Sequence, residues 1–142
     1  MRAARHIEEQ GGLVVVDFHG CGSYEVSTVY QAFALLCARD KVRAALLMAG
    51  DEDADAHYAL RDTLVTVSRI AKIPLRFRLA LVASSAPIEN AYRAMQRELR
   101  LLGCDARVFR AASEARQWLC GAVLIPVPEA AAPRFAGFRI PV

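Results

Sequence analysis

The sequence lacks an apolar run near the ~20 residues that a membrane-spanning helix needs, although its mean hydropathy is +0.23. We therefore expect no membrane span. Residues 1–9 are charged and lack the apolar core of a signal peptide, so a cytoplasmic location is expected. The four cysteines form no CxxC pair and no zinc-like spacing with histidine, which favours reduced thiols. We expect no metal and no other cofactor.

Lysine is scarce as well. Lys41 and Lys72 are the only two lysines, and the modest net charge of +3 rests almost entirely on arginine. Ten arginines lie between Arg61 and Arg116, whereas Asp51–Asp55 is an acidic stretch. This asymmetry favours a solvated surface with local ion pairs over a steering field for an anionic partner, and the aromatic residues are not interleaved with basic ones. We expect no nucleic-acid partner.

Three apolar runs determine the fold class. The runs Leu13–Phe18, Arg43–Ala49 and Phe77–Ala83 each lead into a helical pattern. Near-continuous apolar strands that alternate with helices are typical of a sheet covered on its faces. A chain of 142 residues is the usual size of one domain. The pattern therefore predicts one α/β domain in which Phe77–Ala83 is an interior strand.

The predicted sheet is completed at both ends of the chain. A first strand is expected at about Ala3–Glu8, and residues 10–12 provide the glycines of a tight hairpin that pairs it antiparallel with the next strand. Ala106–Phe109 is a short alternating strand. The prediction is a mixed sheet of about five strands, antiparallel at the N-terminal hairpin and parallel afterwards, with about four helices.

The helices are predicted from apolar spacing and from capping residues. Ser23, Asp55 and Ser113 are expected N-caps, and Gly103 is placed to close the third helix. The predicted buried stripes, in helix order, are Val26, Val29, Tyr30, Phe33 and Leu36; then Leu60, Leu64, Val67 and Ala71; then Ile88, Tyr92, Met95, Leu99 and Leu102; then Ala115, Trp118 and Leu119.

The domain is expected to cover residues 1–121. Residues 122–142 contain four prolines together with several large apolar side chains, which is too apolar for a freely solvated tail. We expect this extension to pack on its own domain or on a second subunit. The second arrangement predicts a homodimer.

The order of elements, together with residues 77–119, resembles a known family. An "R-V-F" strand at Arg107–Phe109 is followed by an "E-A-x-x-W-L" helix at Glu114–Leu119, and the strand at Arg78–Val82 lies beside it in the predicted sheet. This combination resembles the SpoIIAA-like branch of the STAS superfamily (sulfate transporter and anti-sigma factor antagonist). The layout matches over residues 1–121, and the motif content lies in residues 77–119.

The resemblance implies a non-enzymatic binding or regulatory module with a protein partner. In anti-sigma antagonists of that superfamily, a serine at the start of the helix after the third strand is phosphorylated and controls partner binding. The corresponding stretch of this chain, residues 50–57, contains no serine or threonine. The resemblance therefore implies a module without the phosphorylation switch, in which carboxylates near a helix start either stand in for a permanent charge or act as ordinary caps.

Candidate binding residues in this stretch are Asp51, Asp53, Asp55 and His57. With Asp62, the aspartates have offsets that loosely match a calcium loop, but Ala56 stands where that loop needs glycine. A solvated acidic cluster is therefore the simpler interpretation. A single histidine beside solvated carboxylates is typically a surface residue, so His57 is expected to be exposed.

Two further candidates follow other strands. Cys21 lies between two glycines at a helix start, with His19 two residues away, which suggests a reactive thiol, although a small buried thiol is the simpler interpretation. Ser84 and Ser85 follow a strand and precede a helix, so they are candidates for holding an anion or for capping. These features leave two alternatives to the binding module: a carrier of a small apolar or lipid-like ligand, and an enzyme that uses Cys21 or the acidic cluster.

Overall fold

The computed structural model describes residues 6–39, 42–71 and 76–120, and these form an α/β fold around one five-stranded sheet. The strands run in the order β1-β2-β3-β4-β5 across the sheet. β1 pairs antiparallel with β2, and the other neighbouring strands are parallel. The mixed sheet predicted from the sequence is confirmed. The strands are β1 (Ile7–Gln10), β2 (Leu13–Asp17), β3 (Ala44–Met48), β4 (Arg78–Val82) and β5 (Asp105–Phe109).

The hairpin between β1 and β2 is tighter than the sequence suggested. Gln10 pairs with Leu13, so Gly11 and Gly12 alone form the turn, and both have positive φ angles (56° and 93°) that favour glycine. The predicted end of the first strand at Glu8 is wrong: β1 continues to Gln10, because the two-residue turn fixes the register. Residues 1–5 lie outside the described residues.

Four α-helices connect and cover the strands, as predicted. They are α1 (Val26–Arg39), α2 (Ala59–Ala71), α3 (Ala86–Leu101) and α4 (Ala112–Leu119). Short 3-10 helices, Ser23–Glu25 and Ala54–Tyr58, precede α1 and α2. None of the helices that the structure describes is long and apolar enough to cross a membrane.

Each parallel strand is added beside the previous one, so α1, α2 and α3 all lie on one face of the sheet. Their apolar stripes pack on Val14, Val16 and the strand residues in register with them. Side chains alternate along a strand, so Leu13 and Val15 point to the other face, where they belong to the same apolar cluster as Ala115 and Leu119 of α4. Both faces are therefore apolar, which explains the near-continuous hydrophobic runs of the central strands.

Cation–aromatic contacts hold α4 on its face. The guanidinium carbon atoms of Arg78 and Arg107 lie 5.2 Å and 5.0 Å from the ring centroid of Trp118. Arg78 also donates a hydrogen bond of 2.8 Å from Nη1 to the Trp118 carbonyl oxygen. Arginines of β4 and β5 therefore contact Trp118 and help to hold α4 on the sheet.

Three predicted caps are wrong. The 3-10 helices move two of the cap positions, so Gly22 precedes the first 3-10 helix and Asp53 precedes the second, while Ser23 and Asp55 lie inside them. Ser113 lies inside α4, which begins after Ala111. The predicted extension, residues 122–142, lies outside the described residues.

Candidate functional site

The loops that follow β2, β3 and β4 meet at the carboxyl edge of the sheet, which is where ligands bind in open α/β sheets. The segment from Asp51 to Tyr58 follows β3, and we call it the acidic loop. Ser23, after β2, accepts a hydrogen bond of 3.1 Å at Oγ from the Asp53 amide. Ser84, after β4, donates one of 2.6 Å from Oγ to the Gly50 carbonyl oxygen. The acidic loop is thus tied to both neighbouring loops.

Gly50 lets the acidic loop pass close to the backbone after β2. A Cβ atom added there would lie 2.8 Å from the Phe18 carbonyl oxygen and 3.0 Å from the His19 Cα. Both are backbone atoms, so a side chain at this position would force the loop away from β2. The glycine is required by this close approach.

A buried acid–base pair lies beneath the loop. Glu52 and His57 are 6% and 0% exposed, and His57 Nε2 lies 2.6 Å from Glu52 Oε2. Both carboxylate oxygens of Glu52 also accept from the Gly50 amide, each at 3.0 Å. Glu52 therefore bonds to Gly50 before the loop and to His57 near the end of the loop, which joins the two ends.

Two tyrosines complete the network from the helices. Tyr30 of α1 and Tyr92 of α3 place their hydroxyls 2.5 Å and 3.3 Å from His57 Nδ1. The rings of Phe18, Tyr30 and Tyr92 surround the imidazole with centroids 5.0–5.8 Å away. None of the described buried side-chain nitrogen or oxygen atoms is left without a hydrogen-bond partner. The polar groups are thus fully satisfied inside an apolar core.

The electrostatics favour an ionised glutamate between neutral hydroxyls. Burial of Glu52 raises its pKa, but the hydrogen bonds from His57 and from the Gly50 amide outweigh burial, so the pKa lies below its ordinary value. Burial raises the pKa of Tyr30 and Tyr92 well above the ordinary value for tyrosine. Both tyrosines therefore keep their protons. An ionised carboxylate only accepts, so Nε2–H of His57 donates to Glu52, while Nδ1 lies within hydrogen-bond distance of both tyrosine hydroxyls.

The structure separates the predicted residues of the acidic loop into two groups. Asp51, Asp53 and Asp55 are exposed. The expectation that His57 is exposed is wrong, because its ring fills the space between Tyr30 and Tyr92. Among the residues that the structure describes, the three aspartates and Asp62 do not bring three ligand atoms together, so the calcium-loop spacing has no matching geometry.

Glu52, Tyr30 and Tyr92 were not identified as site residues from the sequence. A signal for the burial of His57 was nevertheless present. His57, Leu60 and Leu64 are three and four residues apart, so His57 continues the apolar stripe of α2 by one turn. Tyr30 and Tyr92 were predicted as core residues. The sequence did not indicate which buried group their hydroxyls would bond to, so neither was recognised as part of a site.

Ser84 and Ser85 line an open depression of about 330 Å³ after β4, together with Ala83, Ala86, Glu89 and Arg110. Ser85 caps α3 by accepting from the Ile88 amide at 3.4 Å, and Pro87 has no amide hydrogen. The Ser84 hydroxyl donates its hydrogen bond to the Gly50 carbonyl oxygen. Few donors at this helix start therefore point toward an anion, and the capping interpretation of these serines accounts for their contacts.

Glu89 neutralises the basic side of the same depression. Its carboxylate accepts from Arg93 at 2.8 Å, as expected from their spacing on α3, and from Arg110 at 3.0 Å. The hydrogen bonds from Arg93 and then Arg110 lower the pKa of Glu89. The depression thus has paired charges at its rim.

Cys21 is 7% exposed. Its Sγ lies with a ring nitrogen of His6 and a carboxylate oxygen of Glu25 within 4.8 Å of one another. The histidine in this group is His6 and not His19, which was the partner considered from the sequence. Cys21 precedes α1 in the chain, and its Sγ donates to the Gly22 carbonyl oxygen at 3.5 Å.

Comparison of the chain with family models, with curated proteins and with solved structures finds no match.

Proposed function

We propose that this protein is a non-enzymatic binding module of STAS type that presents the acidic loop to a basic segment of a protein partner. The observation that carries the proposal is the division of the loop: Glu52 and His57 are buried, while Asp51, Asp53 and Asp55 are exposed. Burying an ionised carboxylate with its hydrogen-bonded partner is costly, and such a pair contributes little to stability compared with a well-packed apolar replacement. A fixed loop geometry is a reason to keep such a pair.

The buried pair determines which side chains face solvent. Glu52 and His57 point inward from the two ends of the loop and bond to each other. Glu52 also accepts from the Gly50 amide after β3, and His57 contacts the tyrosine hydroxyls of α1 and α3. The aspartates before and between them therefore point outward. Because the loop is already ordered, a partner would not have to order it on binding, which lowers the entropic cost of association.

The surface around the aspartates suits a protein partner. Tyr24, beside Ser23, is 88% exposed, and Tyr58 at the end of the acidic loop is 47% exposed. Exposed tyrosines are enriched in protein interfaces, where they supply apolar contact area and a hydroxyl. Clustered carboxylates repel phosphate backbones and attract arginine and lysine side chains. These properties favour a basic protein segment over a nucleic acid.

The resemblance to anti-sigma antagonists supports the same surface. The acidic loop occupies the place where those proteins carry a phosphorylated serine, and in this chain the negative charge is permanent. The proposal is therefore a module that binds its partner without a phosphorylation switch, and a cytoplasmic location is part of the proposal. Homodimerisation through the C-terminal extension remains part of the proposal, and light scattering of the full chain and of a chain truncated after Cys120 tests it.

The two alternatives receive less support. The depression beside α3 is lined by serines and by paired charges, which does not favour an apolar or lipid-like ligand. An enzyme that uses the acidic cluster with a metal would need its aspartates to gather ligand atoms, and those that the structure describes do not. An enzyme that uses Cys21 as a nucleophile would need an accessible thiol, and Cys21 is 7% exposed.

The test is quantitative cross-linking in cells that express the tagged full chain. The variant Asp51→Asn/Asp53→Asn/Asp55→Asn removes three charges from the loop. The matched control Glu8→Gln/Glu9→Gln/Glu114→Gln removes three exposed charges elsewhere. We expect one or more proteins to be cross-linked to the loop through lysine- or arginine-rich segments, to be lost with the loop variant and retained with the control. Equal capture by both variants would contradict the proposal.

A further inference from the structure

A second cluster of chemically active side chains lies outside the acidic loop. It joins the start of β1, the turn after β2 and the first 3-10 helix, which contribute His6, Cys21 and Glu25. One ligand atom from each residue lies within 4.8 Å of the other two. His6 and Cys21 are 6% and 7% exposed, and Glu25 is half-buried, so the cluster opens to solvent on the side of Glu25.

The hydrogen bonds hold these side chains in forms that a metal can use. His6 Nδ1 lies 2.8 Å from the Asp17 carbonyl oxygen, which only accepts, so Nδ1–H donates this bond and orients the ring, and a metal would bind through Nε2. A histidine held in this way by a backbone carbonyl is the usual arrangement of a metal ligand. Glu25 Oε1 accepts from the Gly22 amide at 3.2 Å, which orients the carboxylate.

We propose that His6, Cys21 and Glu25 form a binding site for a divalent transition-metal ion of the Zn²⁺ type. Imidazole, thiolate and carboxylate form a borderline-soft donor set that suits Zn²⁺ and Co²⁺ and not the hard ions Ca²⁺ and Mg²⁺. On binding, the Cys21 thiol releases its proton to solvent, and one thiolate and one carboxylate then balance the two positive charges of the ion.

The separation of the ligand atoms is close to that of a zinc site. Ligand atoms in a tetrahedral zinc site are about 3.5 Å apart, given metal–ligand bonds of about 2.0–2.3 Å. The three atoms lie within 4.8 Å of one another, so no pair has to approach by more than about 1.3 Å when the ion binds. Three protein ligands leave the fourth position to water, on the side where Glu25 is accessible.

The test uses the full chain, stripped with a chelator and titrated with Zn²⁺ in competition with a chromophoric chelator. We expect one equivalent of Zn²⁺ to bind. Cys21→Ser should weaken binding at least ~100-fold, more than the loss of an outer-shell partner does. Glu25→Gln keeps the acceptor for the Gly22 amide and loses the charge, so it should weaken binding while the fold remains intact. Cys120→Ser, a control thiol outside the cluster, should bind as the parent chain does.

Titration with Co²⁺ identifies the ligand directly. We expect a thiolate-to-cobalt charge-transfer band in the parent chain and in Cys120→Ser, and none in Cys21→Ser. Absence of stoichiometric Zn²⁺ binding in the parent chain would overturn the proposal. Equal binding by Cys21→Ser, Glu25→Gln and the parent chain would overturn it too, since the ion would then be held elsewhere. Thermal unfolding of each metal-free variant shows whether the fold is retained.

Discussion

The loops after β3 and after β4 occupy equivalent places in the sheet but use their polar residues differently. After β4, Ser84 and Ser85 bind backbone groups, and the charged residues Glu89 and Arg110 pair at the surface. After β3, Glu52 and His57 pair inside the core, and the aspartates remain outside. A capped helix start needs no buried charge. This difference is the observation on which the proposed binding function of the acidic loop rests.

The largest expected difference between the two loops follows from deleting His57. His57→Ala leaves the Glu52 carboxylate buried without its partner, and breaking a buried pair in this way costs about 3–5 kcal/mol. Urea unfolding monitored by Trp118 fluorescence measures the change. The control Tyr58→Ala, at the exposed neighbouring position, should change the unfolding free energy by less than about 1 kcal/mol. Similar effects of both substitutions would show that the pair is not special.

Acid should act on the loop after β3 through Glu52. The folded-state pKa of Glu52 is lowered from its ordinary value of 4.5, so its contribution is complete above that value and is lost as the pH falls through the folded pKa. Glu52→Gln should remove this part of the acid dependence. We expect the effect to be smaller than that of His57→Ala, since the Gly50 amide keeps an acceptor. Unfolding free energies measured across this acid range test it.

Glu89 provides the comparison for the loop after β4. Its pKa is lowered too, but its arginine partners are 55% and 79% exposed, so salt screens the pairs. In Glu89→Gln, the free energy of unfolding should still fall in acid by an amount that added salt does not change. In Glu52→Gln, this salt-insensitive part of the acid dependence should be absent. The opposite result would assign the acid dependence to the surface pairs.

The close approach of the loop to β2 gives the next effect. Gly50→Ala places a Cβ against the backbone of Phe18 and His19, and overpacking of this kind costs about 1–3 kcal/mol. Gly22→Ala is the matched control, because its nearest atom would be 3.8 Å away, at Glu25. Urea unfolding of both variants measures this. A tolerated Gly50→Ala would show that the loop moves easily and is not fixed against β2.

The smallest effect belongs to the loop after β4. Ser85→Ala removes the cap of α3 and should cost about 1 kcal/mol. Ser113 lies inside α4 and is exposed, so the variant Ser113→Ala should gain helix propensity and be neutral or slightly more stable. Thermal unfolding of the two variants compares them. A decrease of several kcal/mol in the unfolding free energy of Ser85→Ala would indicate that Ser85 stabilises this loop by more than capping α3.

The comparison of the two loops also shows what the sequence reveals. The apolar runs that became β2, β3 and β4 are recognisable because both faces of the sheet are covered, and the turn glycines Gly11 and Gly12 are recognisable because positive φ favours glycine. Ser84 and Ser85 could be identified from local sequence as candidates for capping or for holding an anion, and Ser85 caps α3 in the structure. Ser23 and Asp55 were expected as caps and are not, since a 3-10 helix precedes each α-helix and moves the cap.

The buried pair was harder to predict. Whether a carboxylate beside three aspartates is buried depends on partners far away in the chain, namely Tyr30 and Tyr92, which approach His57 only after α1 and α3 pack on the same face of the sheet. Local composition marked the whole stretch as solvated. The spacing of His57 relative to Leu60 and Leu64 was the one local indication to the contrary.

Amide hydrogen exchange in Glu52→Ala tests most directly whether the buried pair holds the acidic loop. The Ala56 amide is bonded to the Asp53 carbonyl oxygen at 3.1 Å, so its exchange reports on the loop through a bond that Glu52 does not make. We expect its exchange to accelerate more than that of the Leu47 amide in the sheet, while the Glu89 amide at the start of α3 follows Leu47. An equal acceleration at all three amides would mean that Glu52 stabilises the fold as a whole and does not fix the loop.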